Sequence, residues 1–123
     1  MDVVDLRFTI IRVTMDQMRD NRFIQVQITF PTEESALSVA SQLVERRLAA
    51  CAQILGPIRS VYVWNGVREE SLEALLLAKT KASLFDELAE AVRAGHPYEC
   101  PQIIALPIVA GTPDYLQWVD DNT

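Results

Sequence analysis

A short segment of this 123-residue chain collects side chains that could do chemistry. Residues 96–101 read HPYECP, and their imidazole, carboxylate and thiol groups can all bind a metal ion. Imidazole together with thiolate favours soft or borderline ions such as copper or zinc. We therefore predict His96 as a metal ligand. A structural zinc site takes four ligands, and close neighbours in sequence rarely converge on one ion, so a purely structural loop is the competing interpretation.

The same segment could instead line a pocket for a small molecule. Lys79 lies at the end of a predicted strand, from which it could face the segment across the sheet. A lysine close to Tyr98 and Glu99 would suit a small anionic ligand about as well as a metal ion. We therefore predict Lys79, Tyr98 and Glu99 as the lining of a ligand cleft between subunits.

The chain lacks the sequence motifs of the common enzyme classes. It has one histidine and four scattered glycines, with no HExxH motif, no GxGxxG motif and no nucleophile elbow. We therefore predict a non-enzymatic protein, and a general base at Glu99 or His96 is the enzymatic alternative. The carboxylates of Glu69, Glu70 and Glu73 lie beside a predicted turn, where such a density is typical of a solvated surface.

Composition limits the partners and the compartment. The net charge is −6 and the pI is near 4.7, which argues against binding a phosphate backbone, since that needs clustered lysine and arginine. Cys51 and Cys100 form neither a CxxC pair nor a zinc spacing, which favours free thiols in a reducing cytoplasm over a single disulfide. No apolar stretch is long enough to cross a membrane. We predict a cytoplasmic protein that binds neither nucleic acid nor membrane.

Residues 61–66, VYVWNG, predict a β-hairpin arm. Asn65-Gly66 is the strongest short hairpin signal, because both central residues of a type I′ turn need positive φ. The strand before the turn is apolar at consecutive positions, so both of its faces require cover, and an isolated hairpin is marginally stable in water. We expect another copy of the chain to cover it, with Tyr62 and Trp64 in the interface. A core strand of the monomer is the alternative.

Hydrophobic periodicity predicts the elements that position these residues. Thr32, Ser83 and Thr112 are the predicted helix N-caps, and Gly95 is the predicted glycine after a helix end. The order βαββαβα predicts an α+β, ferredoxin-like sandwich, in which two helices cover one face of a four-stranded antiparallel sheet. The extended hairpin arm and a short C-terminal helix are added to it. The predicted strands are 23–30, 50–64, 70–80 and 103–108. The predicted helices are 33–48, a second helix that begins at Leu84 and ends before Gly95, and 113–119.

Residues 1–22 are predicted to be an N-terminal extension to a domain at residues 23–123. Apolar and polar residues alternate between Val4 and Ile10, which suits an additional edge strand. Met15 and Met18 instead suit a chain whose first residues lie upstream of the natural start. Both interpretations stay open.

Six short motifs in this order resemble the CutA divalent-cation tolerance family over roughly residues 23–120. The resemblance implies a ferredoxin-like subunit in a tight homotrimer, whose hairpin arms add strands to neighbouring sheets. It also implies a role in the tolerance of divalent metal ions such as copper. The motifs are LAAC at 48–51, YVWNG at 62–66, KT at 79–80, HPYE at 96–99, IALP at 104–107 and YLQW at 115–118, which follows Gly111.

Of the copper-ligand positions of the family, one has a matching residue in this sequence. The bacterial ligand set has a cysteine near the end of the first strand and two adjacent histidines at the end of the second helix. Ile28 and Gly95 occupy two of these places and His96 occupies the third. Val67 stands where the family usually carries a lysine. We expect weak binding of copper or another divalent cation; the alternative is a trimeric sensor or signalling protein with a metabolite in the inter-subunit cleft.

Overall fold

The computed structural model describes residues 22–123, so the extra strand considered for residues 1–22 lies outside the described residues, apart from Arg22. In the described range the chain forms four strands, three α-helices and a single 3₁₀ turn at Ala82–Leu84. Their order agrees with the predicted βαββαβα order. The bounds are β1 Phe23–Phe30, α1 Glu33–Glu45, β2 Cys51–Trp64, β3 Val67–Lys81, α2 Phe85–Gly95, β4 Ile103–Pro107 and α3 Pro113–Asp121.

The four strands form one antiparallel sheet in the order β2-β3-β1-β4. Ile24 of β1 lies opposite Thr80 of β3 on one side and opposite Pro107 of β4 on the other. β1 and β3 are therefore the central strands, and β2 and β4 form the edges. This is the strand order of the ferredoxin-like sandwich, and the predicted fold class is confirmed.

The main core lies between one face of this sheet and helices α1 and α2. Every second residue of β1 from Ile24 to Phe30 is at most 1% exposed, because alternate side chains of a strand point to the same face. The predicted N-cap of α1 is confirmed, since Thr32 Oγ1 accepts a hydrogen bond from the Ser35 backbone N–H at 3.0 Å. The buried helix residues are Ala36, Val39, Ala40 and Leu43 in α1, and Leu88 and Val92 in α2.

The predicted end of α1 is wrong by three residues. The helix ends at Glu45 rather than at Leu48, because Arg47 adopts a left-handed conformation with φ of 58° and turns the chain. The backbone N–H of Leu48 then donates to the carbonyl oxygen of Leu43 at 2.9 Å. Leu48 is buried as the periodicity requires, but it reaches the core from the turn instead of from the helix.

The predicted ends of α2 are also wrong. Ser83 lies inside the 3₁₀ turn, and no side chain caps the first residue of α2. Gly95 is the last residue of the helix, and the chain leaves it in an extended conformation at His96, with φ of −88° and ψ of 134°. Since the chain continues extended, no left-handed glycine is needed to end the helix.

The hairpin arm projects beyond the central strand. β1 pairs with β3 only as far as Ala74, whereas β2 and β3 stay paired up to Trp64 opposite Val67. Asn65 and Gly66 take φ of 51° and 78°, the positive values that a type I′ turn requires. The predicted hairpin is confirmed. β3 begins three residues earlier than predicted, because the two strands pair all the way to the turn.

The short C-terminal helix packs on the first residues of the sheet. Thr112 is its N-cap residue and Pro113 its first helical residue, as predicted. Val119, which is 1% exposed, contacts Phe23 and Ala50 in a second, smaller cluster. Within residues 22–123, no helix combines the length and the hydropathy needed to cross a membrane.

Candidate functional site

A cleft of about 790 Å³ lies between the hairpin arm and the loop of residues 96–102 that follows α2. Its volume is in the range of small-molecule sites. The register places the arm residues on one face, since Tyr62 lies opposite Glu69 and alternate residues of a strand share a face. Six lining residues carry most of its chemistry: Tyr62 and Trp64 of β2, Glu69 and Glu73 of β3, and Tyr98 and Glu99 of the loop.

His96 holds the start of this loop through both of its ring nitrogens. The backbone N–H of Tyr98 donates to Nδ1 at 3.0 Å, so Nδ1 carries no proton. Nε2 lies 2.7 Å from the carbonyl oxygen of Thr29 and is therefore the protonated nitrogen that donates to it. The ring also stacks on Phe30 with 4.5 Å between centroids. These contacts describe a neutral imidazole that fastens the loop to the end of β1.

Tyr98 links the loop to the arm. Its hydroxyl donates to Oε2 of Glu73 at 2.8 Å, and Glu73 is only 9% exposed. Burial raises the pKa of the Tyr98 phenol well above its usual value, and the hydrogen bond to the Glu73 carboxylate and its charge raise that pKa further. The prediction that Glu73 belongs to a solvated surface is wrong, because the loop folds over it.

The other two carboxylates of the predicted solvated surface are indeed accessible. Glu70 forms an ion pair with Arg68 at 2.8 Å, and a longer one with Arg59 at 3.9 Å. Glu69 is exposed at the edge of the cleft. The burial of Glu73 could not be inferred from its neighbours, since it depends on a tyrosine 25 residues further along the chain.

The structure does not bring Lys79 to the cleft. Thr29, which receives the His96 hydrogen bond, lies opposite Leu75 in the sheet, whereas Lys79 lies opposite Gln25. Four residues of β3 separate these positions, roughly 13 Å at about 3.3 Å per residue. The Lys79 ammonium group donates to the side-chain oxygen of Gln53 instead. Of the three predicted cleft residues, Tyr98 and Glu99 line the cleft and Lys79 does not.

The metal-competent side chains of the loop do not converge. Glu99 and Cys100 are both exposed, and both nitrogens of His96 are already hydrogen-bonded. Across residues 22–123, no three His, Cys, Asp or Glu side chains are grouped in a way that could hold one ion. Metal binding by His96 stays a prediction, and it requires the loss of one of these hydrogen bonds.

The arm residues predicted for a subunit interface lie outside the core of their own chain. Tyr62 is 43% exposed and Trp64 is 48% exposed, and neither belongs to the buried clusters of residues 22–123. The alternative of an arm strand buried in the monomer core is therefore wrong. The apolar side chains of residues 61–64 therefore form a surface that is exposed to solvent in the single chain.

Comparison with known sequences gives one consistent result. A family model described as CutA1 divalent ion tolerance protein matches residues 24–122. The Divalent-cation tolerance protein CutA of Thermus thermophilus is 49% identical over 98 residues, which cover 80% of this chain and 95% of that protein. Protein CutA of Mus musculus is 46% identical over 96 residues, which cover 78% of this chain and 54% of that protein. The chain thus spans nearly all of the bacterial relative and about half of the mouse relative.

Solved structures agree with the sequence comparison. The Thermus thermophilus divalent cation tolerance protein superposes with a TM-score of 0.80 at 48% identity, covering 82% of this chain and 98% of that chain. CutA1 from Oryza sativa superposes with a TM-score of 0.81 at 41% identity, covering 84% and 94%. The fold of residues 22–123 is therefore similar to solved structures over nearly their whole length.

Proposed function

The chain belongs to the CutA1 divalent ion tolerance protein family, and from that premise we propose that it is a homotrimeric, non-enzymatic protein that acts in the tolerance of divalent metal ions such as copper. The Thermus thermophilus relative is named for divalent-cation tolerance. The main observation in favour of the proposed homotrimer is that the apolar side chains of the hairpin arm are exposed in the single chain. Tyr62 and Trp64 are its proposed interface residues.

Two features of the arm favour assembly with further copies of the chain. Its apolar side chains include Val61, Val63 and Val67, all exposed in the single chain, and covering them removes apolar surface from water. Beyond Ala74, β1 no longer pairs with β3, and no other strand of residues 22–123 takes its place at this edge. Such an edge pairs readily with a strand of another chain, and this supports arms that add strands to neighbouring sheets.

The geometry of His96 supports weak rather than tight metal binding. Any ion at a ring nitrogen must replace the hydrogen bond to Thr29 or the one from Tyr98. The same two bonds leave His96, which is the single histidine of the chain, without a free nitrogen to act as a general base. We therefore propose that copper or another divalent cation binds weakly at the subunit boundary, and that no catalytic step takes place there.

The metal hypothesis is tested by titrating Cu²⁺ into the protein in a calorimeter. We expect His96→Ala to lower the affinity while the sedimentation coefficient stays that of the trimer. Cys100→Ser is the matched control, because it removes an exposed thiol of the same loop that could itself attract copper. An unchanged copper isotherm for His96→Ala would show that His96 is not a ligand and that its role is structural.

A second candidate function is a trimeric sensor or signalling protein that binds a metabolite. The cleft between the arm and the loop favours it, since a volume of about 790 Å³ accommodates a small molecule. Tyr62 and Trp64 line the cleft and also belong to the proposed interface, so in the trimer the cleft would lie at a subunit boundary. Thermal-shift screening separates the two functions, because a ligand at 100 times its Kd stabilises the folded state by roughly 2.7 kcal/mol.

We place the protein in the cytoplasm, with neither nucleic acid nor membrane as a partner. The two cysteines, Cys51 and Cys100, are free thiols, and free thiols fit a reducing compartment. Relatives occur elsewhere, since one from Arabidopsis thaliana is named chloroplastic and one from Archaeoglobus fulgidus periplasmic. Fractionation with an antibody against the intact chain tests the location. Residues 1–22 are proposed as an extension to the domain at 23–123.

A further inference from the structure

Glu73 is a buried carboxylate with no cationic partner among residues 22–123. The residue is 9% exposed, and its Oε2 accepts one hydrogen bond, from the neutral phenol of Tyr98. Within residues 22–123 it takes part in no ion pair, whereas Glu70 on the same strand pairs with two arginines. Removing a carboxylate from water is costly unless an opposite charge compensates it. A cationic group beside Glu73 would supply that compensation.

The unused oxygen of Glu73 belongs to the wall of the cleft. No side chain or backbone group of residues 22–123 donates a hydrogen bond to Oε1, whereas Oε2 accepts from Tyr98. Because Glu73 lines the cleft, a ligand there could donate a hydrogen bond to this oxygen. A hydrogen bond between charged groups is stronger than one between neutral groups.

The rest of the cleft has the surface that an organic cation prefers. The lining holds three aromatic residues, Tyr62, Trp64 and Tyr98, and no lysine or arginine of residues 22–123 contributes to it. Aromatic faces attract cations through the ring quadrupole. Glu69 and Glu99 add two further negative charges at the cleft, and a cleft lined by one sign of charge concentrates ions of the opposite sign.

We propose that this cleft binds a small organic ammonium compound, whose cationic group meets Oε1 of Glu73 and whose apolar body contacts the aromatic residues. The inference narrows the second candidate function to one class of ligand. It replaces the anionic ligand that the sequence suggested, since Lys79 is remote from the cleft. The named lining residues come from one chain. In the proposed trimer the same cleft lies at a subunit boundary, so this inference rests on the second candidate function.

Three probes of nearly equal shape and different charge test the proposal on the intact chain. They are 2-phenylethylammonium, the neutral 2-phenylethanol and the anionic phenylacetate, each titrated by calorimetry at pH 7. We expect the ammonium compound to bind at least about tenfold more tightly than the alcohol, because a hydrogen bond to a charged group contributes that much. We expect no binding of the anion. Equal affinities for the ammonium compound and the alcohol would overturn the proposal.

Glu73→Gln is the decisive variant, since it removes the charge and keeps an oxygen that can accept from Tyr98. We expect it to weaken ammonium binding by about tenfold or more. Glu90→Gln is the matched control, because it makes the same charge change on the exposed surface of α2. A Glu73→Gln variant that binds like the unmodified chain would overturn the proposal, and so would an equal loss in Glu90→Gln.

Tyr98→Phe separates the charge of Glu73 from its role in holding the loop. This variant loses the hydrogen bond between the loop and the arm but keeps the carboxylate and the aromatic ring. We expect ammonium binding to be retained. A loss as large as that of Glu73→Gln would show that the intact loop, not the charge, is required. Copper titration and sedimentation measure the proposed metal and trimer functions separately, so these functions and the ammonium site can fail independently.

Discussion

β1 and the hairpin arm are similarly apolar, yet their fates in the single chain are opposite. Every second residue of β1 from Ile24 to Phe30 is at most 1% exposed. All four residues at positions 61–64 of the arm are between 43% and 69% exposed. β1 lies between two strands and beneath two helices, and the arm extends past the end of β1. The comparison shows that an apolar strand sequence predicts burial of its side chains. The position of the strand in the fold decides whether the same chain or another molecule buries them.

The two regions also differ in what holds their strands together. The central strands of the sheet are held both by backbone hydrogen bonds to their neighbours and by the packing of their buried side chains against the helices. In the arm, β2 and β3 are held by their own ladder, and its exposed side chains gain little from burial within the chain. A two-stranded hairpin of this kind is marginally stable alone in water. We therefore expect mutations to affect unfolding in the sheet and assembly in the arm.

The largest effect should come from the core. Leu76 is fully buried, and Leu76→Ala should lower the free energy of unfolding by about 2–5 kcal/mol, through lost burial and the remaining cavity. Leu72, on the same strand and 58% exposed, is the matched position in the arm. We expect less than about 1 kcal/mol for Leu72→Ala in urea denaturation. Equal costs at both positions would remove the distinction between core and arm.

The second effect should appear in assembly. An indole side chain presents up to about 250 Å², so the exposed 48% of Trp64 leaves roughly 120 Å² to be covered, or about 3 kcal/mol at each interface. We expect the trimer of Trp64→Ala to dissociate already at protein concentrations at which the trimer of the unmodified chain is still intact. The melting temperature of the variant should also depend more strongly on protein concentration. Sedimentation across a dilution series measures this.

Gln42→Ala, on the exposed face of α1, is the control for Trp64→Ala. If the two variants dissociate alike, Trp64 makes no inter-subunit contact. Light scattering of the unmodified chain at micromolar concentration gives the starting point, with a mass of about three subunits expected. A well-behaved monomer would contradict the assembly proposal directly.

The smallest effect should come from Tyr98, which joins the two regions. Its raised pKa means that the folded state favours the protonated phenol. The stability from this group is therefore fully present below the usual tyrosine pKa of 10.0, and it is lost as pH rises further towards the higher pKa of the folded state. Since the residue is partly solvent-exposed, we expect Tyr98→Phe to cost about 1 kcal/mol at pH 8.

The pH profile distinguishes this charge effect from simple packing. Urea denaturation of the unmodified chain and of Tyr98→Phe between pH 8 and pH 11 should give curves that converge above about pH 10. A difference that stays constant over this range would mean that the hydroxyl acts through packing alone. The loop would then be fastened to the arm independently of the ionisation of Tyr98.

Local chemistry was sufficient for most of the fold. Alternation in β1, the helical stripe beginning at Ala36, the Thr32 cap and the Asn65-Gly66 turn each depend on residues within one or two turns of chain, and each prediction is confirmed. The errors in the fold lie at the ends of elements, at the ends of α1 and α2 and at the start of β3. Gly95 was expected to follow the end of α2, but it is the last residue of the helix, and the contacts of His96 with Thr29 and Phe30 accompany an extended chain from there.

Only part of the candidate site could be predicted from local sequence. Tyr98 and Glu99 were predicted from their proximity to His96 in sequence, and both line the cleft. Glu73 was missed, and Lys79 does not line the cleft of the single chain, because the position of each depends on where β3 lies relative to the loop. The register of β1 with β3 sets that position, and it places Leu75, not Lys79, opposite Thr29.

The sequence by itself determined the elements, the antiparallel hairpin and the need to cover the arm, since these follow from propensities and hydrophobic spacing along short stretches. The tertiary structure alone decided the character of the cleft. It folded Tyr98 over Glu73, engaged both nitrogens of His96 and kept Lys79 on another part of the sheet. The electrostatics of a site depend on distances between residues far apart in the chain, and only the packed fold sets those distances.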